Sequence, residues 1–245
     1  MKTTNIGIVI YDDFDALDVA GPNQVFYFLQ SLSGGGPQPV ALHLIGRKKG
    51  EKFKSLEGLT WLVETGYKDA PDCLDVIFIP GGFGKKFQAL LKNTEDPFYG
   101  FLKSQVASAK KAKKPQLICS VCVGALLLAR AGLLDGYSCT THWAFKNVLS
   151  LFPKVIVAPG YPRYVIDQNR VTGGGISSGI DEALAIVEIL RGAEVARQIQ
   201  LSIQYAPNPP QQSGDPSVAS AATLHTVSVQ IGAAELYEAV SGFLK

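Results

Sequence analysis

Three histidines and four cysteines are all that this 245-residue chain offers for binding a soft metal. His43, His142 and His225 stand at no paired spacing, so a zinc site would lack ligands even if the C-x-x-C of Cys119 and Cys122 supplied half of one. Four cysteines, the others being Cys73 and Cys139, are too few for a disulfide framework in a chain of this length. Charge is sparse as well. Only 18% of residues are charged and the formal net charge is +2, which gives nucleic acid or a membrane surface no electrostatic hold. Lys110, Lys111, Lys113 and Lys114 do cluster, but behind an Ala/Ser/Val-rich stretch they read as the solvated end of a helix. No apolar run reaches the ~18 residues that span a bilayer. The longest, Leu126–Ala129 and Ala183–Leu190, are interrupted by Arg130 and Glu188. A secretory leader is not visible either, because Met1–Asn5 runs straight into a strand-like segment. These absences point to a soluble, cytoplasmic protein with no nucleic-acid or membrane partner.

What is present is apolar residue in short, regularly spaced runs. The chain is 47% hydrophobic, enough for one large core or two small ones. Asn5–Tyr11, Val40–Ile45, Asp75–Ile79 and Gln116–Val121 are continuous apolar runs, the mark of strands buried on both faces. Between them, an acidic loop at Asp12–Asp18 and Gly21-Pro22 predict a helix over Asn23–Leu32, closed by a flexible turn at Ser33–Pro37. Lys52–Ser55 and Leu59–Val63 read as a small hairpin, and Phe87–Leu91 and Pro97–Lys111 as helices. Further strands are expected at Tyr137–Thr141, Val155–Ala158, Tyr164–Asp167 and Val171–Thr172, and further helices at Ala144–Leu151, Ile180–Arg191 and Ala193–Tyr205. The alternation predicts an α/β fold: a flavodoxin-like, doubly wound, mostly parallel sheet with helices on both faces. Residues 1–205 form that domain. Residues 206–245 add a Pro-rich linker, Ala206–Pro216, and a helical tail packing on the same domain, firmest at Glu235–Leu244.

Candidate chemistry gathers where such a sheet places it, at the carboxyl ends of strands. Cys122 sits where a β-rich run turns directly into a helix-forming run, the geometry of a nucleophile elbow. A helix N-terminus favours thiolate over thiol, so Cys122 is expected to be the most reactive of the four thiols. The plain alternative is a small buried hydrophobe. Cys119 and Cys139 read as packed core thiols; redox pairing of Cys119 with Cys122 is disfavoured because Cys119 lies inside the strand. Pro80-Gly-Gly-Phe-Gly84 follows another strand and leaves backbone N–H groups open, as an oxyanion-type donor or a tight turn. It is no phosphate loop, because the G-x-x-x-x-G-K-[ST] pattern is missing. Asp18 is either a site acid or a helix cap. His142, in Thr140-Thr-His-Trp143, is the histidine best placed to pair with a cysteine, or it hydrogen-bonds structure beside Trp143. Asp181 reads as the first-turn acid of its helix.

Ser120-Val-Cys-Val-Gly-Ala-Leu-Leu-Leu-Ala-Arg-Ala-Gly-Leu-Leu-Asp-Gly136 and Thr140-Thr-His-Trp143 together resemble the ThiJ/PfpI superfamily, with its class I glutamine-amidotransferase-like fold. Leu17-Asp-Val-Ala-Gly-Pro22, Gly173-Gly-Gly-Ile-Ser-Ser-Gly-Ile-Asp181 and Gln204-Tyr-Ala-Pro-Asn-Pro-Pro210 are most similar to its isonitrile hydratase branch. The resemblance runs from about Ile6 to Pro216 and leaves the tail outside. It implies that Cys122 is the nucleophile and Asp18 its acidic partner, a general acid/base. It also implies that backbone N–H groups around Gly82 and Val123 face the reacting atom and that the protein is a homodimer; Gly81 and His142 are further candidate substrate-binding residues. The implied activity is a hydro-lyase reaction on a small-molecule substrate, addition of water to an isonitrile, which requires no metal or organic cofactor. Val123 departs from the pattern: that position is usually Thr in the hydratases and often His in protease-like members. A non-enzymatic ligand-binding or regulatory protein of the same fold, and a thiol-based stress protein, are the other readings.

Overall fold

In the computed structural model, which describes residues 2–33 and 38–244, the buried runs become strands of one seven-stranded sheet. β1 (Thr4–Val9) leads through α1 (Ala16–Ser33) to β2 (Val40–Gly46). The antiparallel hairpin of β3 (Lys52–Lys54) and β4 (Thr60–Leu62) precedes the short β5 (Thr65–Gly66). Then come β6 (Val76–Ile79), α2 (Lys85–Lys92), α3 (Pro97–Ala112), β7 (Leu117–Ser120) and α4 (Gly124–Arg130). β8 (Ser138–Cys139), a 3-10 turn at Trp143–Phe145, α5 (Lys146–Leu149) and β9 (Ile156–Val157) follow. The chain continues with β10 (Tyr164–Asp167), β11 (Arg170–Gly173), α6 (Ser178–Arg191), α7 (Ala193–Ser202), α8 (Ala221–Gln230) and α9 (Ala233–Leu244).

The main sheet runs β10-β11-β7-β6-β1-β2-β5, parallel except at the β10–β11 hairpin. All four residues of β6 and of β7 are buried, as are the last four of β1, because helices cover both faces. The fold is α/β with a mostly parallel sheet, as the alternation of runs predicts. From β1 the chain moves to β2 on one side, then returns to β6 on the other. The carboxyl ends of β1, β6 and β7 are therefore neighbours at the switch point, where such sheets bind ligands.

Two local features differ from the pattern reading. Helix α1 begins at Ala16 rather than near Asn23, so Asp18 lies in its first turn and not in a loop. The reason is Asp15, whose Oδ1 accepts from the N–H groups of Leu17 (3.0 Å) and Asp18 (3.4 Å) and so caps the helix seven residues ahead of Pro22. Pro22 then falls inside the helix, where it has no N–H to offer the Asp18 carbonyl. The Tyr137–Thr141 strand shrinks to β8 and pairs with β9 in a separate ladder, because the β10–β11 hairpin already holds that edge of the main sheet. Of the expected glycine turn, residues 34–37 lie outside the described residues. The linker contains no helix or strand, and α9 buries Leu236 and Val240 against α2 and α5. The Arg130 guanidinium sits 5.4 Å from the Phe243 ring centroid, a cation–π contact between α4 and the tail.

Candidate active site

Cys122 stands two residues after β7 ends at Ser120 and two before α4 begins at Gly124, with φ +56°. That is left-handed backbone, which costs a non-glycine residue of order 1–3 kcal/mol unless its surroundings impose it. Here they do. The Cys122 N–H donates to the Gly174 carbonyl (2.8 Å), and the Thr141 hydroxyl donates to the Cys122 carbonyl (2.7 Å). Gly124 allows the turn into α4, because a Cβ there would lie 2.4 Å from the Ile79 carbonyl oxygen.

Gly81 joins this elbow to Asp18. A Cβ on Gly81 would lie 2.6 Å from Cys122 Cβ, 2.7 Å from Asp18 Oδ2 and 2.8 Å from the Val123 nitrogen. The acid and the cysteine thus face each other across one bare Cα. Gly81 N–H donates to Asp18 Oδ2 at 2.7 Å, so it holds the acid and is not free for a substrate. Gly82 pairs with Phe14 in an isolated bridge, and its own N–H has no protein partner among the described residues. The N–H groups of Val123 and Ile176 face the Cys122 sulfur and favour its thiolate, without reaching full hydrogen-bond geometry.

Electrostatics run against the simple elbow argument. Burial, and then the charge of Asp18, push the Cys122 thiol well above its ordinary range, outweighing the two N–H groups. A seven-residue helix supplies little dipole to set against them. Cys122 therefore rests as a thiol, and its expected superiority in reactivity is not supported: burial raises the less enclosed Cys73 more weakly. Burial, with help from Asp15, also raises Asp18 well above the carboxylate range, opposed by the Gly81 N–H. Asp18 can consequently carry a proton at neutral pH, as a general acid must.

His142 takes a different place. Its Nδ1 accepts from the Ala144 N–H (3.3 Å), capping the 3-10 turn, and its ring edge abuts Gly175. Burial lowers its pKa to about 4, so it is neutral. Among the described residues no hydrogen bond joins His142 to Cys122 or Asp18. Two further acids belong to this neighbourhood, one that reads from the sequence as a solvated loop acid and one that the sequence reading passes over. Asp15 caps α1 directly before Asp18, and Glu182 on α6 is fully buried. Glu182 could have been found from its period: Ser178, Glu182 and Ile186 recur on one stripe of α6, and all are buried. Two surface hollows lie elsewhere, along Arg47–Glu51 and between Ala129 and Lys154. No group of three or more candidate metal ligands occurs among the described residues, and none of their helices is long and apolar enough to cross a membrane.

Comparison with known proteins agrees with this fold. Residues 4–189 match the description of the DJ-1/PfpI family. The chain is 37% identical over 219 residues to the isonitrile hydratase of Pseudomonas putida, covering 89% of this chain and 86% of that protein. It is 27% identical to the HTH-type transcriptional regulator GbdR of Pseudomonas aeruginosa, covering 82% of this chain but 50% of the regulator. Among solved structures, a THiJ/PfpI family protein from Pseudomonas syringae superposes with a TM-score of 0.84 at 27% identity, covering 99% of this chain and 91% of the other.

Proposed function

The chain belongs to the DJ-1/PfpI family, and from that premise we propose that it is a cysteine-dependent hydratase adding water to small isonitriles to give N-substituted formamides. The observation that carries this reading is the bare Cα of Gly81, with the elbow thiol on one side and a buried acid of raised pKa on the other. Cys122 is 7% exposed, a constriction that suits the slender, linear end of an isonitrile. In the first step the Cys122 sulfur bonds to the terminal carbon. The Asp18 carboxylate takes the thiol proton and passes it to that carbon's lone pair. The product is a thioimidate. Water adds to the same carbon while a proton moves to nitrogen; the carbon–sulfur bond then breaks, and the hydroxyl proton returns to sulfur as the formamide carbonyl forms. Only isonitrile and water are consumed, and both side chains are regenerated. In this reading the N–H groups of Gly82 and Val123 donate to the charge that develops.

Proton NMR tests this directly: purified protein should convert cyclohexyl isocyanide to the N-substituted formamide, and Cys122→Ala should abolish the product. Asp18→Asn should lower turnover by about two orders of magnitude, the usual worth of a positioned acid. A second reading, ligand binding without turnover, is favoured by Val123, whose apolar side chain puts no hydroxyl beside the sulfur. Under that reading several isonitriles are left untouched by the wild type while Val123→Thr gains turnover.

A further inference from the structure

Glu182 is a fully buried acid that the hydration steps do not use. Neither of its carboxyl oxygens has a hydrogen-bond partner among the described residues. The Ser120 and Ser178 hydroxyls and Asp18 Oδ1 are buried and unpartnered as well, so four residues account for five of the seven such atoms. They occupy one region. A Cβ on Gly173 would lie 2.4 Å from Glu182 Oε2 and 3.2 Å from both Ser178 Oγ and Val121 Cγ2. Val121 follows Ser120, and its Cγ2 also approaches Gly179, where Pro22 of α1 packs. Asp18 is one helical turn before Pro22 on that helix. The close approach of α1 and α6 at Gly21 and Gly179 thus brings the two acids behind the elbow, with Ser120 and Ser178 beside them.

We propose that Glu182 is a positioning residue: it holds a proton and, through the Ser120 and Ser178 hydroxyls and internal water, supplies the hydrogen-bond donor that the free oxygen of Asp18 requires. A buried water site needs two to four polar partners, and the unpartnered atoms provide them. The proton belongs on Glu182 rather than Asp18 because Asp18 alone has a backbone N–H to steady its charge. The groups facing Glu182 agree. Asp18 from α1 raises it after burial does, Cys119 from β7 carries no positive charge, and the Ser120 N–H faces it without reaching hydrogen-bond geometry. On its own helix, Asp181 is taken up by Arg163 at the surface. No cation pairs with Glu182 among the described residues. An acid buried in this way lowers stability, which makes an apolar replacement informative.

The proposal extends the hydratase reading, yet it can be tested without turnover. Infrared spectra of wild-type protein at neutral pH should contain the carbonyl band of a buried, protonated carboxylic acid. Glu182→Gln should remove that band, and Asp18→Asn should shift it by changing the acceptor. Folding supplies a second check. A folded state that keeps a proton the unfolded chain releases loses stability as pH rises from the unfolded carboxyl value of ~4.3, and Glu182→Gln should flatten that slope. Glu182→Met should raise Tm, yet lower formamide turnover about tenfold at neutral pH and move its pH midpoint upward, because Asp18 loses a donor to its charged form. Glu182→Gln, which keeps a donor, should restore turnover to within about threefold of wild type. A band indifferent to Glu182→Gln or to Asp18→Asn overturns the proposal. So does a Glu182→Met enzyme with a wild-type pH profile. If no isonitrile is turned over at all, the hydratase reading fails, and the infrared and stability results still decide the role of Glu182.

Discussion

Replacing Gly81 by alanine adds one methyl group at the most crowded point of the site. The new Cβ would meet Cys122 Cβ at 2.6 Å, Asp18 Oδ2 at 2.7 Å and the Val123 nitrogen at 2.8 Å, all closer than real Cβ contacts permit. Two of those atoms are main chain or fixed to it, on a segment tied down by the Cys122–Gly174 and Thr141–Cys122 hydrogen bonds. The movable neighbour is the Asp18 carboxyl, which would have to leave its 2.7 Å bond to the Gly81 N–H. Overpacking of this kind costs about 2–3 kcal/mol, or roughly 4–12 °C in Tm for a chain of this size. An acid displaced by about 1 Å loses on the order of a hundredfold in rate. The matching control is Gly100→Ala on α3, where a Cβ meets nothing within 4 Å. That change should be neutral or stabilise by about 0.5–1 kcal/mol, because alanine is the better helix former. Thermal unfolding by circular dichroism and formamide production by NMR measure the two effects. Gly81→Ala protein with wild-type Tm and wild-type rate would refute the close acid–thiol geometry.

Three further outcomes follow from the structure and the family resemblance. His142→Ala should keep turnover within about threefold of wild type and destabilise by about 1–2 kcal/mol through the lost cap. Because burial holds the His142 pKa near 4, the unfolded chain protonates first on acidification, so stability falls as pH drops from ~6.5 towards 4; His142→Ala should lose that part of the slope in pH-dependent denaturation. Leu236→Ala in the tail should cost about 3 kcal/mol, or roughly 6–12 °C in Tm, if α9 is part of the same folding unit; an unchanged Tm would mean that the tail contributes nothing. Light scattering should give about twice the 26.2 kDa chain mass, the two-fold assembly that the resemblance implies, and a monomer at micromolar concentration would contradict it.

The parallel strands were readable because their apolar runs are continuous and their ends carry strong turn signals. Tyr164–Asp167 forms over the expected residues, and the elbow falls between Ser120 and Gly124. Asp18, Cys122 and the glycine pair could be picked out by position relative to those strands. The start of α1 could not, since Gly21-Pro22 is the loudest local signal while the Asp15 cap is a single side-chain bond that becomes visible only once the helix exists. The resting state of Cys122 was misjudged for a related reason. The helix-dipole argument is local, whereas burial and the charge of Asp18 are tertiary and larger. Glu182 was overlooked because a glutamate in a helix is ordinarily solvated. Its burial depends on the close approach of α1 at Gly21 and Gly179, a property of two segments far apart in sequence.

Where the chain departs from ordinary structural preference is itself informative. Among the described residues, five non-glycine residues adopt positive φ: Asp13, Lys113, Cys122, Gln168 and Gln204. Lys113 ends α3 in the left-handed cap conformation, and Gln168 turns the β10–β11 hairpin. Gln204 follows α7, and Asp13 lies in the half-buried loop before α1. Cys122 is the buried member of the set, and it lies just past the end of a central strand. Beside it are a glycine that tolerates no methyl group, an acid with one oxygen unpartnered, and a second acid with both oxygens unpartnered. Any one of these could be an accident of packing. Gathered at the switch point of a parallel sheet, they lower stability in the one place where a parallel sheet positions chemistry, and a chain selected for stability alone would replace them with apolar residues.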